Sequence, residues 1–470
     1  MKKIIITFTL LLCAVCLMAQ NISGTWYGTL EFHSKKLRIV FHISKTGEIY
    51  TTTMDSPDQL ASGIATDKTT VDGNQVTITI AKMGMTYTGT LVPDSSIING
   101  VFSQGPANVA LKLSTTENKE AKAAGPARPQ DPTSFPYRQE EVSFTNPKAG
   151  NTLAGTLTLP SDGNAKRIVV FITGSGPQNR NEEVAQFNHR PFLVWSDWLT
   201  RNGIAVLRFD DRGVGASTGV FTTATSADFA DDVEAAVSYI QSRSDLKNLS
   251  IGLMGHSEGG MIAPMVASSN KAVKFIILLA GPGIPNSELM IQQTADQMRL
   301  SGASDSEIAT AARLNKKLYA TMGEYKNLPE EELKTKLQKM MRNELNKLPA
   351  QDRGEDSSDA KLQEGVMKVC SPWYRYFITF DPADYLTRTQ CPVLALNGTL
   401  DMQVSCVPNL KGIKDCLQKA GNRNVQIAPL EGLNHLFQKA TTGSVEEYGK
   451  ITETVNPLAL KTVTDWINKL

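Results

Sequence analysis

The chain has 470 residues, of which 41% are hydrophobic and 20% are charged, and its formal net charge is +1. This composition is ordinary for a globular protein, and the length predicts two to four domains. The near-zero net charge provides no bulk field that would attract nucleic acid or an anionic membrane, so we expect neither as a partner.

The N-terminus has the three parts of an export signal. Lys2 and Lys3 form a basic start, residues 4–18 form an apolar run, and Ala19 is a small residue suited to cleavage. A membrane anchor is the alternative, but about 15 apolar residues are short for a membrane-spanning helix. We therefore predict a signal peptide over residues 1–19 whose removal leaves no stable membrane span. The mature protein is then exported, to the periplasm or outside the cell.

Residues 20–113 have the pattern of an all-β domain. The runs LRIVFHI, QVTITIA and TYTGTLV are rich in β-branched residues, and turn signals separate them. We predict a small barrel or sandwich. The opening Gly24-Thr25-Trp26-Tyr27-Gly28 resembles the start of lipocalin-like barrels, and this resemblance implies that Trp26 plugs one end of the barrel. A ligand-binding role for this domain is the less favoured alternative.

A linker and a second domain follow. Residues 114–136 are dominated by Ala, Pro, Lys and Glu, without apolar periodicity, which is typical of a linker. From residue 137 to 470 a predicted β-hairpin precedes six apolar runs that alternate with helical segments. Such alternation indicates a mostly parallel sheet flanked by helices. The six predicted strands cover residues 167–174, 204–210, 249–255, 274–280, 392–398 and 425–432.

One connection in this domain is much longer than the others. About 110 residues separate the fourth and fifth of these runs, and they are polar, Met-rich and helical in pattern. A structureless loop of that length is implausible inside a compact domain. We therefore predict a helical cap at about residues 286–380, inserted over the ends of the strands.

The sequence Gly255-His256-Ser257-Glu258-Gly259 follows a predicted buried strand and precedes a helical segment. This is the strand–turn–helix context of the G-x-S-x-G nucleophile elbow, in which a serine hydroxyl is raised above the sheet on a tight turn. An ordinary strand–helix junction is the alternative. The flanks favour Ser257 as a nucleophile.

A serine nucleophile needs a base, and the chain has only five histidines. His33 and His42 belong to the N-terminal domain, His189 precedes the nucleophile, and the side chain of His256 should diverge from the hydroxyl of its neighbour. In the chain order Ser, acid, His, the remaining candidate is His435, in a loop after the last predicted strand.

The catalytic acid should follow the predicted strand that precedes the last one. Asp401 lies just after the run 392–398, at the strand end where catalytic loops gather. It would hold the tautomer of His435. Glu431 is the rival acid, but it lies too close in sequence to His435 to be preferred.

An acyl-transfer site also needs two donors for the developing oxyanion. The N–H of Glu258, directly after the nucleophile, is one candidate. The second should come from the loop after the run 167–174, where Ser175 is the first choice and Gly176 the second.

The four cysteines outside the predicted signal peptide do not indicate a functional site. Their spacing does not match a zinc site, and their pairing stays open among three connectivities. They are Cys370, Cys391, Cys406 and Cys416. No ligand-like cluster of His, Cys and Asp appears either, so we predict neither a metal nor a cofactor.

With these residues in place, residues 140–470 resemble the bacterial EstD-type α/β-hydrolases, a branch close to serine aminopeptidase-like and dienelactone hydrolase-like enzymes. The segments that carry the resemblance include GSGPQNRNE (174–182), GHSEGG (255–260), CPVLALNGTLDMQV (391–404) and GLNHLFQKA (432–440). The resemblance implies the α/β-hydrolase fold and hydrolysis of carboxylic esters, with Ser257, Asp401 and His435 as the catalytic triad.

The sequence thus predicts an exported serine esterase that acts on small, short-chain acyl esters through an acyl-enzyme. A serine peptidase or acyl-peptide hydrolase with the same triad is the alternative, because the cap and not the elbow decides specificity. A non-catalytic ligand-binding protein is a further alternative.

Overall fold

The structure is a computed structural model that describes residues 22–470 apart from 33–34, 48, 58–60, 94, 106, 117–126 and 350–357. The predicted signal over residues 1–19 lies outside the described residues. The chain divides into two compact units near residue 123. Within the predicted linker, the buried guanidinium of Arg128 donates to carbonyl oxygens of Phe187 and Tyr448 in the second unit. The domain bounds that we infer from the sequence stay predictions.

The first unit is an antiparallel barrel closed by eight of the nine strands that its described residues form. The strand bounds are β1 Gly24–Phe32, β2 Lys35–Thr46, β3 Ile49–Ser56, β4 Ala61–Ala65, β5 Lys68–Asp72, β6 Gln75–Ile80, β7 Met85–Leu91, β8 Ile97–Gln104 and β9 Ala107–Ser114. The order around the ring is β2-β1-β9-β8-β7-β6-β5-β3, with β3 pairing back to β2 and with β4 as an additional neighbour of β3. Of the two predicted alternatives, the barrel is confirmed.

Side chains fill the interior of this barrel. Along β6, Val76, Ile78 and Ile80 alternate with more exposed residues and are completely buried, as the two-residue period of a strand requires. Trp26 is also buried in this core, and its indole N–H donates to the carbonyl oxygen of Ile22 at 2.8 Å. Trp26 therefore has a packing role.

The second unit is built on an eight-stranded sheet with the order β10-β11-β13-β12-β14-β15-β16-β17. The strand bounds are β10 Arg138–Thr145, β11 Thr152–Leu159, β12 Arg167–Ile172, β13 Ala205–Phe209, β14 Ser250–His256, β15 Val273–Leu279, β16 Val393–Gly398 and β17 Val425–Leu430. The first two strands form an antiparallel hairpin at one edge, and the other six are parallel to one another. The six predicted runs are these six strands.

Helices cover both faces of this sheet. The helix bounds are α1 Pro191–Arg201, α2 Ser226–Ser242, α3 Glu258–Ala267, α4 Asn286–Leu300, α5 Asp305–Glu324, α6 Glu330–Asn346, α7 Asp359–Val369, α8 Pro372–Ile378, α9 Ala383–Leu386, α10 Cys406–Lys419, α11 Val445–Tyr448 and α12 Pro457–Lys469. Val170 of β12 packs in one core with residues of α2, α3 and α10, and its neighbour Val169 packs in another with residues of α1 and α12. Burial on both faces explains why the strands read as continuous apolar runs.

Helices α4 to α8 form the cap. They lie between β15 and β16 in the chain and share a small core of their own, which includes Met322, Leu333 and Leu337. A helical cap is therefore confirmed as part of the fold. No helix of the described ranges is both long and apolar enough for a membrane span. The thiols of Cys370, Cys391, Cys406 and Cys416 are free.

Candidate active site

Ser257 lies on a strained turn between β14 and α3. Its φ is 53° and its ψ is −115°, a conformation that a residue with a Cβ rarely adopts. Two hydrogen bonds hold the turn: the Ser257 N–H donates to Leu279 O at 2.8 Å, and the Gly260 N–H donates to Ser257 O at 2.9 Å. The residue is partly exposed. The turn therefore presents the hydroxyl at the carboxyl edge of the sheet.

Two glycines make this turn possible. A Cβ on Gly255 would overlap the carbonyl oxygen of Gly259, and a Cβ on Gly259 would overlap the carbonyl oxygen of Ile172 on β12. The backbone of the elbow therefore packs directly on itself and on the neighbouring strand, and any larger residue at either position would force it apart.

Asp401 and His435 are in contact at the same edge of the sheet. Asp401 follows β16 and His435 follows β17, and His435 Nδ1 lies 2.8 Å from Asp401 Oδ2. The other carboxylate oxygen of Asp401 accepts the N–H groups of Gln403 and Val404, each at 2.8 Å. Both members of the pair are only 3% exposed. An ionised carboxylate can only accept, so the proton of His435 is held on Nδ1 and Nε2 is left as an acceptor.

The nucleophile elbow lies beside this pair. The ring of His256, the residue before Ser257, is 4.8 Å from the ring of His435, centroid to centroid. Within the described part of the chain, no hydrogen bond joins Ser257 Oγ to His435 Nε2. Such bonds are often longer in a free enzyme than in its substrate complex. The structure thus brings together the predicted acid and base, and the complete triad stays a prediction.

Glu258 begins α3, so its N–H has no acceptor within the helix and is available to a ligand. Its carboxylate is buried and accepts from Ser226 Oγ at 2.5 Å and from Trp373 Nε1 at 2.9 Å. Burial raises the pKa of Glu258 above its ordinary value, and interactions with the side chains of Ser226, Trp373 and Ser175 partly oppose that rise.

The loop that follows β12 therefore contacts the residue after the nucleophile. Ser175 is exposed at this point, and Gly176 has a φ of 94° that suits only glycine. An ideal Cβ on the preceding residue, Gly174, would lie 3.4 Å from the Cβ of Ser257. This proximity is compatible with an oxyanion donor from either Ser175 or Gly176, so both alternatives remain.

Trp373 brings the cap to this site. It lies on α8, and its hydrogen bond to Glu258 joins the cap to the first residue of α3. Its ring stacks on that of Phe377, with the centroids 4.9 Å apart. The cap thus contacts the residue after the nucleophile through an aromatic side chain.

The sequence Asp210-Asp211-Arg212, at the end of β13, contacts the loop that follows β12. Asp210 pairs with Arg180 at 2.8 Å, and Arg212 pairs with Asp232 at 2.7 Å. Asp211 accepts from Thr173 Oγ1 at 2.7 Å and from the N–H of Gln178 at 2.9 Å. These contacts give the three residues a structural role in holding the loop.

Sequence reasoning missed Glu182 in this site, and it missed the contacts that His256 makes. The carboxylate of Glu182 accepts the N–H of Gly174 at 2.7 Å and contacts His256 Nδ1 at 2.9 Å. The side chain of His256 does diverge from the hydroxyl, but it reaches the carbonyl oxygen of His435 with Nε2, at 3.0 Å. A histidine in the nucleophile motif and an acid eight residues after Gly174 were the available signals.

Among the residues that the structure describes, no three or more His, Cys, Asp or Glu side chains are grouped in a way that could hold a metal ion.

Comparison with known proteins supports the same fold. The profile of the serine aminopeptidase S33 family matches residues 182–343. Esterase EstD of Thermotoga maritima is 26% identical over 310 residues, which are 65% of this chain and 61% of EstD. The chain has the fold of the α/β-hydrolases and is similar to EstD. The match thus spans less than two thirds of EstD.

Other similarities are shorter or more distant. The uncharacterized protein YfhR of Escherichia coli K12 is 31% identical over 125 residues, which are 27% of this chain and 40% of YfhR. The esterase Pf2001 of Pyrococcus furiosus superimposes with a TM-score of 0.44 at 16% identity, covering 71% of this chain and 92% of Pf2001. Est1E of Butyrivibrio proteoclasticus superimposes with a TM-score of 0.40 at 17% identity, covering 70% of this chain and 98% of Est1E.

Proposed function

We propose that the protein is an exported serine hydrolase that cleaves short-chain carboxylic esters through an acyl-enzyme. The observation that carries the proposal is the 2.8 Å contact between His435 Nδ1 and Asp401 Oδ2, beside the strained turn of Ser257. The name of the relative EstD, an esterase, supports the choice of an ester as substrate.

In the first half of the reaction, Ser257 Oγ attacks the ester carbonyl carbon while His435 Nε2 takes the hydroxyl proton. Asp401 stabilises the imidazolium that results. The carbonyl oxygen becomes an oxyanion, bound by the N–H of Glu258 and by that of Ser175 or Gly176. When the tetrahedral intermediate collapses, the C–O bond to the alcohol breaks and His435 returns the proton to the leaving oxygen.

In the second half, water replaces the alcohol. His435 removes a proton from the water, the resulting hydroxide attacks the acyl carbon, and the bond to Ser257 Oγ breaks with return of the proton. The products are a carboxylic acid and an alcohol. The stacked rings of Trp373 and Phe377, joined to Glu258 by the Trp373 hydrogen bond, support a preference for a small acyl group.

Ser257→Ala tests the nucleophile. We expect kcat for p-nitrophenyl acetate to fall at least about 10⁴-fold, because no other group can form the acyl-enzyme. A fluorophosphonate should label the wild type and not the variant. Ser269→Ala is the matched control, since that hydroxyl faces Val266 O at the far end of α3. Equal turnover by wild type and Ser257→Ala would disprove the proposal.

A peptidase with the same residues is the second candidate, supported by the match to the serine aminopeptidase S33 profile. The two functions differ in the leaving group and not in the nucleophile. We expect kcat/KM for short p-nitrophenyl esters to exceed that for aminoacyl p-nitroanilides. The reverse order would favour the peptidase.

Export is a separate part of the proposal. It is supported by the basic, apolar and small-residue segments of residues 1–19. Expression of the full chain in a Gram-negative host, followed by fractionation and N-terminal sequencing, should find a periplasmic or secreted protein that begins near residue 20. An uncleaved protein in the cytoplasm would contradict it.

A further inference from the structure

A second histidine–carboxylate pair lies next to His435 and Asp401. His256 Nδ1 is 2.9 Å from Glu182 Oε1, and both side chains are more than nine-tenths buried. His256 Nε2 is 3.0 Å from the carbonyl oxygen of His435. The ester-hydrolysis steps described above use neither side chain.

The hydrogen bonds determine how many protons the pair holds. Both ring nitrogens of His256 face oxygen atoms, one of a carboxylate and one of a backbone carbonyl. A neutral imidazole has one N–H, so two such contacts require two protons between His256 and Glu182. One lies between Nδ1 and Oε1, and the other is on Nε2.

The electrostatic surroundings agree with this count. Burial alone would lower the pKa of His256, but the charge and hydrogen bond of Glu182 outweigh it and raise that pKa. The buried pair carries no net charge as a unit. It can therefore lie beside His435 without opposing the positive charge that His435 gains in the reaction.

The pair also connects three separate loops. Glu182 accepts the N–H of Gly174, where the loop that carries Ser175 begins. His256 is the last residue of β14 and the neighbour of Ser257, and its ring holds the loop of His435 by the backbone. In the sheet, β15 and β16 separate β14 from β17. The pair therefore joins elements that the sheet alone does not hold together at this edge.

The backbone of Glu182 adopts a strained conformation, as expected if the contacts of its side chain require that position. Its φ is 51°, in the left-handed region that a residue with a Cβ avoids at a cost of about 1 kcal/mol or more. The Glu182 N–H donates to Asn179 O at 2.8 Å in a turn. A strained backbone persists where surrounding contacts require that position.

We propose that Glu182 and His256 are positioning residues that hold the oxyanion loop and the base loop in register with Ser257. The inference rests on the proposed ester hydrolysis, which it extends to how the site is assembled. Neither residue needs to touch the substrate. Their loss should therefore lower kcat and leave KM nearly unchanged.

Glu182→Ala and Glu182→Gln test this inference with p-nitrophenyl acetate. Alanine removes the acceptor for Gly174 and the partner of His256, so we expect kcat per fluorophosphonate-titrated site to fall about 30- to 100-fold, with KM changed less than threefold. Glutamine can place its oxygen where Glu182 Oε1 lies, so that it still accepts from the Gly174 N–H and from the N–H of His256 Nδ1. It should restore kcat to within about fivefold of wild type.

Asn422→Ala is the matched control for lost stability. Its side-chain N–H groups donate to Thr389 O at 3.1 Å and Cys391 O at 2.8 Å, before β16 and at the opposite edge of the sheet from the site. We expect Asn422→Ala to lower Tm and to leave kcat unchanged. If Glu182→Ala lowered Tm alone, or if Ala and Gln were equally impaired in kcat, the inference would be wrong.

Two further outcomes separate this inference from the proposed function. If Glu182→Ala does not fold, His256→Gln replaces it, since that side chain reaches one of the two oxygen atoms but not both. A kcat at least about tenfold lower supports positioning, and an unchanged kcat overturns it. A folded wild type that does not react with the fluorophosphonate overturns the proposed function, and this inference with it.

Discussion

The barrel interior and the carboxyl edge of the parallel sheet bury different kinds of side chain. In the barrel, the buried polar side chains among the described residues are Thr52, Ser56 and Thr69, which carry no charge. The rest of that core is apolar or aromatic. Such an interior needs no partner for a charge, and its residues are explained by packing alone.

The edge of the sheet instead buries a concentration of ionisable groups at the ends of five strands, β12, β13, β14, β16 and β17. They are Glu182, Asp210, His256, Glu258, Asp401 and His435, each less than 9% exposed. Burying a charge is unfavourable unless a partner compensates it, and the contacts described above provide those partners. A region that tolerates this much unfavourable desolvation is a candidate for function, whereas the barrel core shows no such feature.

Among the tests of this difference between the two regions, Asp401→Asn should give the largest change in kcat. An amide at position 401 can donate to His435 Nδ1 and so favours the wrong tautomer, which leaves Nε2 protonated. We expect kcat for p-nitrophenyl acetate to fall about 10³- to 10⁴-fold, with little change in KM. Steady-state kinetics on folded, monodisperse protein would measure this.

The rival acid provides the control. Glu431 is exposed, and Glu431→Gln should leave kcat within twofold of wild type. If Glu431→Gln lost activity while Asp401→Asn retained it, the acid would be Glu431. Loss in both variants would show that the charge at this edge matters more than the contact with His435.

Trp26→Ala should separate the two regions. The change removes a side chain that is 3% exposed from the barrel core, so we expect the barrel to lose about 3–5 kcal/mol of stability. The candidate site residues all lie in the other unit, and kcat at 25 °C should not change. Thermal unfolding and kinetics on the same sample would measure both. A fall in kcat that parallels the loss of stability would mean that the site depends on the barrel.

Most of the fold follows from local patterns in the sequence. The parallel strands are buried on both faces, so each is a continuous apolar run that stands out from its surroundings. Chain order then selects Asp401 and His435, because the loops after β16 and β17 meet at one edge of the sheet. The structure finds these two side chains in contact.

Glu182 could not be found in the same way. Its role depends on a left-handed turn within the loop after β12 and on a contact with a residue 74 positions further along the chain. No periodicity or short motif encodes such a contact. His256 belongs to the nucleophile motif, but its value depends on where the backbone of His435 lies, which only the folded sheet determines.

The smallest predicted effect concerns two adjacent acids at this edge, Asp210 and Asp211. The residue Asp211 is partly exposed, but its carboxyl group lies among protein atoms, and this burial raises its pKa well above the ordinary value of about 3.9. The folded state therefore binds this proton more tightly than the unfolded chain. Its contribution to stability is present below pH 3.9 and is lost as the pH rises through the folded pKa.

Asp211→Asn removes that titration and can still bond to Thr173 and Gln178. We expect roughly 1 kcal/mol of added stability at pH 8 and little change at pH 3.5. Asp210 is the matched control: burial alone would raise its pKa, but Arg180 outweighs burial and lowers it. Asp210→Asn should therefore destabilise the protein at pH 8, and the loss should shrink as the pH falls below about 3.9. Urea denaturation at both pH values would measure the two variants, and effects of the same sign at pH 8 would contradict this assignment of charge.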